Sequence, residues 1–209
     1  EMIAVAIEAG ADAIGVVHAP GSPRHLEVDE AREVVAAAGC ACVDTVLVVA
    51  TTPVAEAVTL AEEIGVSVLQ LHGHYTAEDF AYATSHFPRI WRATSLKKNP
   101  DLHVGAQGEE LILLDAPKAG GGETWDLSAL VASRPDGKWL LAGGLSPDNV
   151  AEAIAVADSL WREDASETWR ATPEARSDAS AMRSALSSTL PTISRSPEPP
   201  VVAENSMVC

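Results

Sequence analysis

Asp115 is the residue in this sequence best placed for acid–base chemistry, because it directly follows four aliphatic residues at positions 111–114. Such an apolar segment is typical of a buried strand, so we expect the carboxyl group at the carboxyl end of that strand, partly shielded from water. A carboxyl group in this position can act as a general acid. The alternative is a structural carboxylate that caps a nearby loop.

Two more polar side chains follow strand-like segments. His72 ends Gln70-Leu71-His72-Gly73 and could orient a substrate or exchange a proton. Arg24 follows the first strand-like segment, and its guanidinium could bind a carboxylate or phosphate through two hydrogen bonds. A histidine bonded to a loop carbonyl and a solvated arginine are the simpler interpretations, and the sequence leaves them open.

Glycines follow the last two strand-like segments. Gly121 and Gly122 belong to a glycine-rich loop after Asp115, where they permit close approach of a ligand and lid-like motion. Gly143 and Gly144 precede a helix start, where backbone N–H groups and the helix dipole favour a phosphate. A tight turn is the alternative for this second pair.

The elements that must position these residues are short strands alternating with helices, with a helix between every two strands. Most strand-like segments are apolar throughout, as in parallel sheets buried on both faces. The predicted strands are Ala13–Val17, Thr45–Ala50, Val66–Leu71, Ile90–Thr94, Glu110–Asp115 and Trp139–Ala142.

Helix boundaries are marked by capping residues. Thr52-Pro53, Thr76 and Ser146-Pro147 predict helix starts. Gly39 and Gly65 predict helix ends.

This alternation predicts a (βα)8 TIM barrel near the lower end of that fold's size range. An open doubly wound sheet is the alternative, although no Gly-x-Gly-x-x-Gly follows a first strand. The chain starts within a helix predicted for Glu1–Ala9, so the first strand is expected either to lie upstream of the sequence given or to be absent. The eighth unit is atypical, with a weak strand near Ser159–Ala165. We expect one barrel domain over residues 1–187 and a flexible tail over 188–209.

The composition narrows the function classes. Fourteen Lys and Arg against 30 Asp and Glu give a net charge of −16, which argues against nucleic-acid and membrane-surface binding. With no apolar stretch long enough to span a bilayer and no signal sequence, the expected location is the cytoplasm. The three cysteines show no metal-ligand spacing, so we expect reduced thiols and no metal site.

Taken together in order and spacing, six motifs resemble the phosphoribosylanthranilate isomerase family, a (βα)8 barrel of tryptophan biosynthesis. The similarity extends from Glu1 to about Val156. The motifs are Gly10–Val17, Ser22-Pro23-Arg24, Gln70-Leu71-His72-Gly73, Leu113-Leu114-Asp115, Gly120–Asp126 and Ala142-Gly143-Gly144-Leu145.

The resemblance implies a cofactor-free Amadori rearrangement of N-(5-phosphoribosyl)anthranilate to the 1-deoxyribulose form. It implies that Asp115 is the general acid, that Arg24 faces the anthranilate carboxylate and that His72 lies at the substrate-binding strand end. The glycines at 121 and 122 then belong to the substrate site, and Gly143 and Gly144 to the phosphate site. The expected partner is a small phosphorylated substrate, and the expected assembly is a monomer or homodimer.

Two departures from the family pattern stand out. The family's general base is a cysteine on the first strand, upstream of Glu1, and its role is not transferred to Cys40 or Cys42 because both precede a strand. Asp164 and Ser166 align with the family's last phosphate loop. Residues 167–170 there are Glu-Thr-Trp-Arg instead of small residues, which predicts weaker phosphate binding.

Two alternatives stay open. The first is the related histidine-pathway isomerase or a dual-substrate form, which uses two aspartates. The second is a catalytically weak barrel that serves as a binding module.

Overall fold

The computed structural model describes residues 2–39, 43–98, 100–115, 133, 135–146, 148–155 and 201–202. In addition to the labelled elements, residues 96–98 form a 3-10 turn and residues 150–155 are helical. The helices are α1 Met2–Glu8, α2 Val28–Ala38, α3 Val54–Ile64 and α4 Ala77–His86, and the strands are β1 Ala13–His18, β2 Asp44–Val49, β3 Val68–His72, β4 Ile90–Thr94, β5 Leu111–Asp115, β6 Trp139–Ala142 and β7 Val201–Val202.

The seven strands of the described residues form one parallel sheet in the order β1-β2-β3-β4-β5-β6-β7. Consecutive strands are neighbours throughout, whereas a doubly wound sheet reverses its strand order at a switch point. The prediction of parallel α/β structure is confirmed, and each of the six predicted strands is present within two residues of its expected bounds. The carboxyl ends of the strands therefore lie along the same edge of the sheet.

The two faces of the sheet have different surroundings. The first face packs against α3 and α4 in a cluster that includes Leu47, Leu69, Leu71, Ile90, Ala57, Ala61, Phe80 and Ala83. Among the described residues, the cluster on the second face consists of strand residues, including Val46, Val48, Val68, Trp91, Ala93, Leu111, Leu113 and Leu140. Strands β1 to β6 thus form a parallel α/β half-barrel with helices on its outer face.

Helix boundaries follow the capping signals. Thr76 caps α4, because its hydroxyl accepts a hydrogen bond from the Asp79 amide (3.3 Å) and its own amide donates to the Asp79 carboxylate (2.8 Å). Gly65 ends α3 in the left-handed conformation, at φ 82°. Gly39 ends α2 with ordinary helical dihedrals. Both predicted helix ends are confirmed.

The connection from β4 to β5 differs from the sequence prediction, because described residues 95–98 and 100–110 contain a 3-10 turn and no α-helix. Leu96, Leu102 and Val104 from this connection cover the outer face of β5 and β6 instead. A buried ion pair between β4 and this connection holds the connection against the sheet. Arg92 Nε on β4 donates to Glu109 Oε1 (2.6 Å), and the two side chains are 6% and 0% exposed.

At the amino edge of the sheet, Arg89 joins three strands. Its guanidinium donates two hydrogen bonds to the Asp44 carboxylate at the start of β2. It also donates to the Glu110 carboxylate before β5, with Nη2 2.7 Å from Oε1. Glu110 also accepts from Trp91 Nε1 (2.7 Å), and Asp44 accepts from Ser67 Oγ (3.0 Å). These bonds tie β2, β4 and β5 together at their first residues.

The electrostatics of this edge follow from the same contacts. Hydrogen bonds from Arg89 hold the pKa of Asp44 below its ordinary value, although burial opposes the effect. Burial acts to raise the pKa of Glu110, but the bonds from Arg89 and Trp91 outweigh it and the net pKa is lowered. The two carboxylates in turn raise the pKa of Arg89.

Several predicted features lie outside the described residues: the weak strand near 159–165, the atypical segment up to residue 177 and most of the tail. Within that tail, β7 pairs with Leu140 and Leu141 of β6. The boundary between a domain at 1–187 and a tail at 188–209 stays a prediction. No helix in the described part of the chain has the length and apolar character needed to cross a bilayer.

Candidate active site

His72 and Asp115 come together at the carboxyl edge of the sheet. Nε2 of His72 lies 3.4 Å from Oδ2 of Asp115. This separation is slightly longer than an ordinary hydrogen bond of about 2.7–3.2 Å. The imidazole is 37% exposed and the carboxylate 14% exposed, so the pair is reachable from solvent while largely shielded on the Asp115 side.

The strand register explains this meeting. His72 ends β3 and Asp115 ends β5, with β4 between them. His72 is paired with Ala93 on β4, and Ala93 is paired with Leu113 on β5, two residues before Asp115. Side chains two residues apart share a face of the sheet, so His72, Ala93 and Asp115 all lie on the strand-lined face. The small methyl group of Ala93 leaves space for the outer two side chains to approach each other.

Gln70 lies one step deeper on the same face. It is 0% exposed, and neither its amide nitrogen nor its amide oxygen has a hydrogen-bond partner in the described part of the chain. Leaving a buried polar group unpaired costs about 1–3 kcal/mol. Gln70 has no predicted role of its own, although a polar residue within the apolar β3 segment is a usable signal for a site residue.

Two contacts fix the loops around His72. Gly73 has a φ of 147°, and a Cβ atom at this position would lie 2.4 Å from the Ala50 carbonyl oxygen at the end of β2. Only glycine permits this approach without a backbone shift. The Tyr75 hydroxyl donates to the Thr52 carbonyl (2.8 Å), and burial together with the charge of Asp79 raises the pKa of Tyr75 to about 12. The loops after β2 and β3 are therefore joined directly.

Arg24 lies in the loop after β1, at the same edge of the sheet. Its backbone amide donates to Ser22 Oγ (3.2 Å), and its side chain is exposed. The guanidinium forms no ion pair with any of the described residues, in contrast with Arg89 and Arg92. Arg24 is thus a cation at the site edge whose charge is not already neutralised by a described carboxylate.

Gly143 and Gly144 follow β6 directly, next to the strand that ends in Asp115. Both adopt positive φ, at 80° and 66°. The Asn149 side chain fixes the turn, because its amide nitrogen donates to the Gly144 carbonyl (2.8 Å) and its oxygen accepts from the Ser146 amide (2.7 Å). Asn149 is not among the predicted site residues, since its contact across five residues depends on the turn that the glycines adopt.

Other predicted site residues lie outside the described residues. These are Gly121, Gly122, Asp164 and Ser166, and their roles stay predictions. Cys40 and Cys42, to which no role is assigned, also lie outside the described residues. In the part of the chain that the structure describes, no three His, Cys, Asp or Glu side chains are grouped as metal ligands.

The described site thus combines three chemical capabilities at one edge. The His72–Asp115 pair can exchange a proton with a bound molecule, because a carboxyl group and an imidazole both accept and release protons. Arg24 can bind an anionic group. The turn at Gly143 and Gly144 presents backbone groups before a helical segment, where a phosphate is favoured.

Comparisons with known proteins found similar sequences and similar structures. Residues 1–165 match the family model described as N-(5'phosphoribosyl)anthranilate (PRA) isomerase. The chain is 40% identical over 162 residues to the N-(5'-phosphoribosyl)anthranilate isomerase of Haloferax volcanii, with 72% of this chain and 71% of that protein covered. The crystal structure of TrpF from Jonesia denitrificans is 60% identical with a TM-score of 0.70, covering 75% of this chain and 76% of that one. The phosphoribosyl anthranilate isomerase of Thermus thermophilus is 30% identical with a TM-score of 0.63, covering 73% and 76%.

Proposed function

Since the chain belongs to the N-(5'-phosphoribosyl)anthranilate isomerase family, we propose that it catalyses the Amadori rearrangement of N-(5'-phosphoribosyl)anthranilate to 1-(2-carboxyphenylamino)-1-deoxyribulose 5-phosphate in tryptophan biosynthesis. The observation that carries this proposal is the 3.4 Å contact between His72 and Asp115 at the carboxyl edge of the sheet. In barrels of parallel strands, catalytic residues lie at this edge.

Asp115 is the proposed general acid. The reaction needs a proton delivered to the ring oxygen of the sugar, so that the ring opens to an imine, and then removal of the proton at C2. The carboxyl group of Asp115 supplies the first proton. His72 lies close enough to orient this carboxyl group and to return a proton to it afterwards.

The remaining parts of the substrate are assigned to separate groups. Arg24 binds the anthranilate carboxylate, for which its guanidinium has no competing described carboxylate. Gly143 and Gly144 bind the phosphate with Asp164 and Ser166, and Gly121 with Gly122 covers the substrate. The reaction needs no cofactor in this scheme. The general base stays unassigned, because the family's cysteine has no counterpart among the matched motifs.

The wider context follows from the family. The half-barrel is proposed as part of an eight-unit (βα)8 barrel, supported by the similarity to solved family structures. The partner is a small phosphorylated molecule and not a nucleic acid or membrane, in keeping with the net charge of −16. A cytoplasmic location and a monomeric or homodimeric state complete the proposal.

The test is a fluorescence assay for consumption of phosphoribosylanthranilate by the full-length native protein. We expect turnover with this substrate and at least tenfold lower kcat/KM with the histidine-pathway substrate. The His72→Asn variant should lose about tenfold or more in kcat/KM, since it removes the proton-exchanging ring. Equal turnover of both substrates would indicate the dual-substrate alternative. Binding of the substrate without turnover would indicate the binding module.

A further inference from the structure

The loop between β1 and α2, residues 19–27, folds back against the strand that it leaves. The Leu26 amide donates to the Val17 carbonyl (2.8 Å), and His25 forms an isolated parallel bridge with Val17. Arg24 directly precedes His25. The direction of the Arg24 side chain therefore depends on how this end of the loop is held.

The His25 ring closes the loop at its start. Its Nδ1 accepts a hydrogen bond from the Ala19 amide (3.1 Å), and its Nε2 lies 3.3 Å from Glu27 Oε1. An amide N–H can only donate, so Nδ1 must be unprotonated and the proton of the neutral ring is on Nε2, facing Glu27. The ring is mostly buried, with 19% of the side chain exposed.

His18, the last residue of β1, makes a second contact with the same loop. Its Nδ1 lies 3.1 Å from the Leu26 carbonyl, which can only accept, so the proton of His18 is on Nδ1. The His18 and His25 rings are 4.8 Å apart between centroids and tilted by 57°. The two rings together hold the first and last residues of the loop against the end of β1.

We propose that His25 is a positioning residue for Arg24: its neutral ring holds the 19–27 loop in the conformation that binds the substrate carboxylate, and protonation of the ring releases the Ala19 amide and weakens that binding. The proposal rests on the proposed function, since Arg24 is the residue that it orients. His25 itself is not placed in contact with the substrate.

The surroundings of His25 determine what protonation does. Protonated Nδ1 would present a hydrogen to the Ala19 N–H, so this contact is lost. The ionisable groups that face the ring are Glu27 at the start of α2, whose carboxylate is 3.3 Å from Nε2, and His18 on β1, whose ring centroid is 4.8 Å away. Glu30 on α2 accepts from the Glu27 backbone amide (2.9 Å). Histidines change charge between about pH 5 and pH 8. A ring protonated on both nitrogens therefore keeps its contact with Glu27 and loses the one with the Ala19 amide.

The test uses two substitutions of similar size in the full-length protein. Leucine in His25→Leu cannot accept from Ala19, and we expect KM for phosphoribosylanthranilate to rise about fivefold with kcat within about twofold, since one hydrogen bond is lost. In His25→Asn the amide oxygen takes the place of Nδ1, so KM should stay within about twofold of the parent value. His86→Asn is the control, because His86 bonds only to the Tyr82 carbonyl on α4 among the described residues.

The pH profile separates positioning from a purely structural role. Between about pH 8 and pH 5.5, the parent protein should lose affinity more steeply than His25→Asn, because the asparagine does not titrate. The ratio of the two KM values cancels every pH effect that the two proteins share. A ratio of KM values that does not change with pH, or an unchanged KM in His25→Leu, would overturn the proposal.

A structural measurement keeps the inference independent of turnover. The Ala19 amide should be protected from hydrogen exchange in the parent and in His25→Asn, and unprotected in His25→Leu. Equal protection in all three would contradict the proposed contact. If the parent protein shows no turnover, the proposed function fails, and the exchange result still decides whether His25 holds the loop.

Discussion

The two edges of the parallel sheet use their polar residues in opposite ways. At the amino edge, Arg89 binds both Asp44 and Glu110, and these carboxylates have further partners in Ser67 and Trp91. At the carboxyl edge, the polar groups are incompletely paired.

The incomplete pairing is seen in four residues at or near the carboxyl edge. Gln70 has no hydrogen-bond partner for its amide among the described residues. Arg24 has no ion pair there, and His72 and Asp115 remain 3.4 Å apart. The charges at the amino edge pair with one another and stabilise the fold, whereas the polar groups at the carboxyl edge are available for a ligand. This division is typical of parallel α/β barrels.

The largest expected effect on activity comes from a comparison of two substitutions at opposite ends of β5. Asp115→Asn should lower kcat/KM at least about 100-fold, because the amide cannot deliver a proton to the ring oxygen. Glu110→Gln, just before the other end of β5, is the matched control. It should leave the kinetics unchanged and lower the urea midpoint. Full activity in Asp115→Asn would remove Asp115 from the mechanism.

Arg89→Met tests the amino edge, where we expect a change in stability and no change in activity. We expect a loss of about 2 kcal/mol in unfolding free energy, since two carboxylates lose their shared partner and solvent screens part of the effect. Urea denaturation measures it, and kcat should not change. Arg32→Met is the control: its ion pairs with Asp29 and Glu63 are more exposed, so its loss should be below about 1 kcal/mol. Equal losses would show that the amino edge has no special role.

Arg24→Ala tests the unpaired cation at the carboxyl edge. KM should rise about tenfold with little change in kcat, because a charge-assisted bond to the substrate carboxylate is lost. The urea midpoint should stay the same, since the Arg24 side chain contributes no ion pair within the described structure. Steady-state kinetics beside a denaturation curve decides it. A loss of stability without a change in KM would assign Arg24 to the fold.

The smallest expected effect is a pH dependence at the amino edge. Asp44 and Glu110 have lowered pKa values in the folded state, so the unfolded chain binds more protons in this range and stability falls as pH decreases. The effect sets in below about pH 4.5 and should stay under about 1 kcal/mol because the side chains are about one-third exposed. In Arg89→Met the acid dependence of the urea midpoint should be shallower. An identical slope would show that these carboxylates are not coupled to Arg89.

Much of the fold could be predicted because the strands are continuous apolar segments with clear boundaries. The rule that catalytic groups follow strand ends also identified His72 and Asp115, which the structure places in contact. Their contact across β4 depends on Ala93, and pairing registers cannot be read from one sequence.

The missed features have physical reasons as well. The β4–β5 connection carried signals against a helix, namely Pro100, Gly105 and Gly108, but its packing depends on the ion pair between Arg92 and Glu109. An arginine within a strand gives no indication of its partner 17 residues away. The hydrogen bond from the Ala19 amide to His25 was not predictable for a similar reason, since it requires the folded conformation of the loop.

The Arg92–Glu109 pair also limits which amino-acid substitutions this protein can accumulate during evolution. A single substitution at either position leaves the other charge buried without its partner, and such intermediates are strongly destabilised. Replacement of both residues by apolar side chains of similar volume can be neutral or stabilising. The two positions are therefore expected to vary together in lineages and to resist one-at-a-time mutagenesis, so that a library aimed at this connection must encode both sites at once.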